Sequence, residues 1–393
     1  MNPFDKCKRF TRPQEIQAEG VWPYFHPISA SFQATEVTIE GRRMVMIGSN
    51  NYLGLTHHPK VQEAARRAID EFGTGCSGSR FLNGTLSLHI ELEERLAAFF
   101  GKEAALTFST GFQTNLGALS VLAGKNDLIF CDRENHASIF DGARLSFATL
   151  KKYRHNDIED LDRLLQQTPA DKGKLVVTDG VFSMLGDLVD LPRMVEVARK
   201  RDAKVLIDDA HGVGVIGEGG RGTASHFGVD VDVITGTFSK SFASLGGFVA
   251  ADADVINYVQ HHARAMIFSA AMTPSNAATA LAALDVIETE PEHRQRLLEN
   301  VRYMKKGFSQ LGFDVDGAES AIIPLRIGDE GATFMAWRTL FDQGVFTNAV
   351  VPPAVPPGQS LLRTSYMARH TREQLDRCLD VFARVGRELQ ILQ

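Results

Sequence analysis

From Pro59 onward the chain alternates between two hydrophobic rhythms. Pro59–Phe72 places Val61, Ala65, Ile69 and Phe72 three or four residues apart, and 88–100 does the same with Leu92, Leu96 and Phe99. That spacing predicts amphipathic helices. Between such stretches lie short apolar runs: AALTF (104–108), DLIFC (127–131), KLVVTD (174–179), KVLIDDA (204–210), DVITGTF (232–238) and GGFVAA (246–251). Runs without polar alternation suit strands covered on both faces. Alternating with helical patterns such as LPRMVEVARKRD (191–202), they predict an α/β fold with a largely parallel sheet between two helical layers.

Both ends depart from this rhythm. Residues 1–45 read as an N-terminal arm, whose Trp22-Pro23-Tyr24-Phe25 and Pro27 suggest an extended segment packed on another element. VTIEGRRMVMI (37–47) alternates around Glu40-Gly41 and predicts a hairpin. After about residue 290 the pattern predicts a helix (294–311), strands FDVDG (313–317) and IIPLRIG (322–328), and a helix (332–343). A Pro-rich loop VVPPAVPPG (350–358), a strand LLRTSY (361–366) and a terminal helix (372–389) follow. A chain of 393 residues is too long for one ordinary core. The expected division is an arm (1–45), a large domain (46–289) and a small α+β domain (290–393).

Composition narrows the function classes. With 44% hydrophobic and 23% charged residues the chain has an ordinary globular make-up. A net charge of −6 argues against a nucleic-acid partner. Cys7, Cys76, Cys131 and Cys378 are scattered with no CxxC pair, so neither a metal site nor a disulfide framework is expected, and a reducing cytoplasm fits. The N-terminus has no apolar core of a signal peptide, and no apolar run approaches the ~18 residues of a membrane span. Peripheral contact with a membrane surface stays open.

Gly212-Val-Gly214-Val-Ile-Gly217 matches a dinucleotide fingerprint, but the following GEGGRGTASHFG cannot open the helix that such a site requires. A different constellation sits at three predicted strand ends: FSTGF (108–112), Asp208-Asp209-Ala210-His211, and Thr237-Phe238-Ser239-Lys240. In an open α/β sheet ligands bind beyond the carboxyl ends of strands, so the three ends can share one crevice. A lysine among small residues there is readily desolvated, which favours its neutral amine and Schiff-base formation. A carboxylate at a buried strand end can hold a pyridinium nitrogen protonated and make the ring an electron sink. The amides of Gly111 and Phe112 at a helix start suit a phosphate, with the Thr237 and Ser239 hydroxyls beside them. His136 of ENHASIFDG can stack on a flat heteroaromatic ring. Taken singly, each has a plainer reading as a cap, a turn or a structural histidine; the ordered set is the signal.

The set STGF, NHASIFDG, TDGVFSMLGD, DDAHGVG and GTFSKS…GG, in this order, resembles the α-oxoamine synthases, from about Gly20 to the C-terminus. The resemblance implies a type I PLP-dependent transferase fold, a homodimer, and pyridoxal 5′-phosphate (PLP) as cofactor. It also implies decarboxylative condensation of an amino acid with an acyl-CoA. WPYFHPI, GSNNYLGL, GTGCSGSRFLNGTLSLHIELE, RHNDIEDLD and PPAVPPGQSLLRTS look most like the branch that joins L-serine to palmitoyl-CoA. The glycine C-acetyltransferase and 8-amino-7-oxononanoate synthase branches are the alternatives. A non-catalytic subunit of a heterodimeric synthase would lack Lys240.

Carried over, the resemblance implies that Lys240 forms the Schiff base and then moves protons, that Asp208 pairs with the pyridinium nitrogen, and that His136 covers the ring. His211 and Ser183 would approach the ring hydroxyl. Gly111, Phe112, Thr237 and Ser239 would hold the phosphate, and Ser269 of IFSAAM would reach it from a partner subunit. Arg363 would bind the substrate carboxylate with Asn51 nearby. Phe112 stands where many members have Tyr, and Asp179 where Glu is common.

Overall fold

The structure is a computed structural model that describes residues 2–315 and 317–392. After two short helices in the first 20 residues, β1 (Ile28–Phe32), β2 (Glu36–Ile39) and β3 (Arg42–Met46) form an antiparallel meander. The predicted hairpin is present: β2 and β3 are joined by Glu40 and Gly41, both at positive φ (52° and 74°), as a two-residue turn with the strands' own twist requires. Trp22 and Tyr24 pack as foreseen, whereas Phe25 stays exposed. Tyr24 meets Phe334 edge-on and His26 stacks on Trp337, both on the helix Glu330–Asp342.

The central sheet takes up β4 (Ala104–Phe108), β5 (Leu128–Asp132), β6 (Thr149–Tyr153), β7 (Lys174–Asp179), β8 (Lys204–Asp208), β9 (Val233–Thr237) and β10 (Gly247–Ala251). Their order is β4-β10-β9-β8-β7-β5-β6, and only β10 runs against its neighbours. Successive side chains of a strand point to opposite faces. Ile129, Cys131, Val177 and Leu206 therefore join one apolar layer with the helices Gly111–Leu122 and Ala137–Leu145. Phe130, Val176, Val205 and Ile207 join the other, with the helices Leu191–Lys200 and Pro274–Thr289. Burial on both faces is why these runs read as unbroken apolar stretches. The strand TLKKY, exposed at the sheet's edge, lacks that signature and is not foreseen by it.

Beyond the long helix Glu292–Leu311 lie β11 (Ile322–Gly328), β12 (Val345–Phe346), β13 (Asn348–Val350) and β14 (Ser360–Ser365). β11, β14 and β13 make a three-stranded antiparallel sheet, while β12 pairs in parallel with β3 and so ties the arm to the C-terminal part. Among the described residues of 313–317 the expected strand does not form. Phe313 instead packs between Phe308 and Phe382 on two helices, and Asp316 lies outside the described residues. Alternation at Phe313 and Val315 serves helix packing there, not strand pairing. The Gly212–Gly217 stretch leads into a 3-10 turn (Glu218–Gly220), and a five-residue helix (Thr223–Phe227) then forms within the stretch expected to open none. Among the described residues no helix is long and apolar enough to cross a membrane.

The SRFLNGT loop is fixed by a buried ion pair. Arg80 donates to both oxygens of Glu93 (2.6 and 2.9 Å) and to Thr107 (2.7 Å), and Glu93 also accepts from the Thr107 amide (2.7 Å). Helix, loop and edge strand β4 thus meet at one carboxylate. Removing one member of such a pair strands a buried charge. Glu93→Ala should lower the unfolding free energy by about 3–5 kcal/mol in urea titration, and a loss below about 1 kcal/mol would show that solvent takes over the Arg80 charge.

Candidate active site

Because β4, β7, β8 and β9 run the same way, their carboxyl ends share one rim. A cavity of about 290 Å³ opens there. Its lining includes Gly111, Phe112, His136, Ser183, Asp208, His211, Thr237, Ser239 and Lys240, nine of the expected site residues. At one end, Thr110 caps the helix Gly111–Leu122 by accepting from the Gln113 amide (3.0 Å). The amides of Gly111 and Phe112 before it have no intrahelical acceptor. The Thr237 hydroxyl sits against them, 2.8 Å from that of Ser239. A Cβ on Gly111 would lie 2.7 Å from Thr237, so only glycine lets the helix start approach β9 this closely.

At the other end Asp208 terminates β8. Asn115 Nδ2 donates to one of its oxygens (2.6 Å) and the Ala210 amide to the other (3.0 Å). Asn115 is itself held by Thr235 Oγ1, which donates to its Oδ1 (2.9 Å). Asp179, at the neighbouring end of β7, accepts from the His136 amide (2.7 Å) and so fixes where that histidine leaves its loop. Burial, reinforced by the charge of Asp208, pushes the Asp179 carboxyl well above the usual range.

Lys240 lines the same cavity. Burial lowers its pKa to about 8; Asp208 and Asp179 pull it back up, and Arg363 adds to the fall. Lys240 and Ser239 also line a second cavity of about 400 Å³, where Asn51 lies with Asn50 and residues of the arm. Arg363, buried on β14, donates from Nε to the Ser183 carbonyl (2.6 Å) and from Nη2 to Asn50 (3.0 Å). The Tyr52 hydroxyl donates weakly to the same Asn50 oxygen (3.3 Å) and bonds His211 Nδ1 (2.6 Å). Burial drives the His211 imidazole well below its ordinary pKa, helped by Lys240 and Arg363.

The sequence matches the model of the class I and II aminotransferases over residues 42–382. It is 52% identical to the serine palmitoyltransferase of Sphingobacterium spiritivorum, over 98% of this chain and 97% of that protein. It is 43% identical to 8-amino-7-oxononanoate synthase 1 of Bacillus subtilis, over 92% and 93%. The structure superposes with TM-score 0.97 and 38% identity on a serine palmitoyltransferase variant from S. paucimobilis bound to a PLP–myriocin aldimine, covering 100% of both chains. The chain belongs to the class I and II aminotransferases, within the α-oxoamine synthase group. It has their PLP-dependent transferase fold.

The residues of this α-oxoamine synthase fit PLP on their own chemistry. The cavity offers the amides of a helix start for a dianion, beside the Thr237 and Ser239 hydroxyls, of which Thr237 donates to the Gly246 carbonyl (3.0 Å); it also offers a buried carboxylate for a ring N–H and an amine of lowered pKa. Two expected residues lie outside this cavity and the second one. Arg363 reaches the rim through Ser183 and Asn50, and Ser269 accepts from Gln113 (3.1 Å), one residue past the Gly111–Phe112 amides. Sequence reasoning missed Asn115, Asn50 and Tyr52. Only Asn115 left a trace: it is a polar residue one helical turn after Gly111, ahead of the largely apolar LGALSVL.

A pKa near 8 means that Lys240 is half neutral there, whereas an ordinary lysine needs a pH near 10.5. Competitive acylation of the cofactor-free protein should therefore titrate Lys240 with a midpoint near 8, followed by peptide mapping. Asp208→Asn should move that midpoint down, because Asp208 favours the charged amine. A midpoint near the ordinary value would contradict the desolvated site.

Proposed function

We propose that this α-oxoamine synthase condenses L-serine with palmitoyl-CoA, giving 3-ketosphinganine, CO2 and CoA, the first step of sphingolipid biosynthesis. The single observation behind this reading is that Lys240 lines one cavity together with Asp208 and Gly111 and also borders a second cavity. The likeness to serine palmitoyltransferases over nearly the full chain supports the substrate pair.

Bound PLP supplies an electron sink for charge left on the amino acid's α-carbon. Lys240 is the residue that holds the cofactor, and its Nζ takes the α-proton, a task suited to an amine of pKa near 8. Asp208, fixed by Asn115 and the Ala210 amide, keeps a proton on the ring nitrogen. The amides of Gly111 and Phe112 and the hydroxyls of Thr237 and Ser239 hold the phosphate. His136 covers the ring face, while His211 and Ser183 stand at the ring hydroxyl. Arg363 offers its planar fork to the substrate carboxylate, with Asn51 near the amino acid. The α-carbon then bonds to the acyl carbon, the thioester C–S bond breaks and the thiolate leaves, taking a proton from water to become CoA; the carboxylate leaves as CO2, and the proton held by Lys240 returns to the α-carbon.

The second cavity has an apolar side of Ile28, Ala34, Val37 and Met46, suited to the first methylenes of an acyl chain. The valines of the Pro-rich loop, candidates for such a groove, are occupied otherwise: Val350 and Val355 pack with Leu361, Met184 and Leu185. We further propose a homodimer whose interface takes in Phe81, Leu82 and Phe268, large apolar side chains that stand exposed on the single chain. Ser269 beside Phe268 is then placed to reach the partner's phosphate. The reading includes a cytoplasmic location and the division into arm (1–45), large domain (46–289) and small domain (290–393). It is supported by the central sheet falling wholly within 104–251 and the three-stranded sheet wholly after 321.

Asp208→Asn should reduce kcat by roughly 10²-fold or more with the fold intact by circular dichroism, since an amide cannot hold the ring proton. The substrate reading is tested by kcat/KM for serine, glycine and alanine crossed with C2 to C18 acyl-CoAs, monitoring thiol release. Each buried methylene contributes about 0.8 kcal/mol, so palmitoyl-CoA should far exceed acetyl-CoA. Faster turnover of glycine with acetyl-CoA, or of alanine with pimeloyl-CoA, would overturn the substrate pair and leave the family untouched.

A further inference from the structure

The RHND stretch does not line the cavity, yet it joins two elements that do. His155 Nδ1 lies 3.0 Å from Asp132 Oδ1 and Nε2 lies 2.9 Å from Asp187 Oδ2. A carboxylate only accepts, so both ring nitrogens donate, and the ring is an imidazolium clamped at both ends. Burial works to lower its pKa, but the two carboxylates hold it up at about 10. The next residue repeats the link. The Asn156 amide donates to Asp132 Oδ2 (2.7 Å), its Nδ2 donates to the Leu188 carbonyl (2.9 Å), and its Oδ1 accepts from the Asp190 amide (2.8 Å).

The two tied elements matter for different reasons. Asp132 is fully buried at the end of β5 and begins the turn that delivers Asn135 and His136. Asp187 belongs to a tight hairpin in which Val181 bridges Leu188 and the Phe182 amide donates to the Asp187 carbonyl (3.0 Å). The Phe182 ring meets the His155 ring edge-on at 4.4 Å. At the tip of that hairpin, the Ser183 carbonyl accepts from Arg363 Nε at 2.6 Å. The guanidinium therefore has two anchors, Asn50 on one side and this hairpin on the other.

We propose that His155 is a positioning residue that sets the aim of Arg363 by clamping the Val181–Leu188 hairpin to the end of β5. The inference rests on the reading of Arg363 as the group that binds the amino-acid carboxylate. Its consequence is specific. Loosening the clamp lets the Ser183 carbonyl drift, so the fork loses its alignment with the carboxylate, while Lys240 and Asp208 on other strands stay where they are.

Steady-state kinetics of the holoenzyme tests this with His155→Gln, Asp187→Asn, the double variant, and Arg363→Lys as reference. His155→Gln and Asp187→Asn should each raise KM for L-serine by about tenfold, the scale of one charge-assisted hydrogen bond partly transmitted. KM for palmitoyl-CoA should stay unchanged, and kcat should fall less than about twofold. The double variant should be little worse than His155→Gln, because both changes break the same bond. An unchanged serine KM in the single variants, with Arg363→Lys raising it, overturns the role of His155 alone; so does a fall in kcat without a rise in KM. An unchanged serine KM in Arg363→Lys overturns the reading of Arg363 itself. Should His155→Gln fail to take up cofactor, Asp187→Asn, which keeps the Asp132 bond, decides the question.

Discussion

A buried carboxylate at the end of a central strand needs fixed donors where little water reaches, and much of this site is arranged around that demand. Asp208 sits at the end of β8 with Asp179 beside it on β7. Two neighbouring carboxylates in a dry place repel, and one of them rises in pKa unless donors favour its charged form. Here the donors are divided unequally. Asp208 takes Asn115 and the Ala210 amide, while Asp179 takes the His136 amide and is pushed toward the neutral form. The same cluster of charge acts on Lys240, which is drawn toward protonation by both acids and away from it by burial and Arg363. A poised amine is the outcome of those opposed terms.

The rest of the molecule brings side chains from distant parts of the sequence to this rim. The helix Gly111–Leu122 can start close to β9 and β10 because Gly111 and Gly247 both lack a Cβ; one on Gly247, the first residue of β10, would meet the Gly111 Cα at 2.7 Å. Arg363 reaches the cavity from β14 because β14 docks by its last residue onto the segment after β3, with the Ser365 amide donating to the Ile47 carbonyl (2.8 Å). That segment continues into Ser49, Asn50, Asn51 and Tyr52, which carry bonds from Arg363 to His211. A single stretch of irregular backbone thereby connects the C-terminal sheet, the arm and the cofactor end of the central sheet.

His155, Asp132 and Asp187 illustrate how such a stretch is kept in register. Loops at strand ends carry function because they are free of the ladder, and for the same reason they need other anchors. An imidazolium between two carboxylates supplies one that is directional at both ends.

The sequence by itself determined the alternation of helices and strands, the β2–β3 hairpin, the helix starts, and the chemistry available at the ends of β4, β8 and β9. Those features are local: periodicity, turn residues and capping groups act over a few positions, and the motif order adds the family. Tertiary structure alone decided which polar residues meet. Asn115 and Asp208 are 93 positions apart, and Arg363 and Asn50 are 313 apart. It also decided that, of two asparagines lining the second cavity, Asn50 and not Asn51 bonds Arg363, and that Phe313 packs on helices where its alternation suggested a strand. Hydrogen bonds and apolar packing are satisfied by whatever the fold brings within about 3–4 Å, and a linear pattern does not encode that distance.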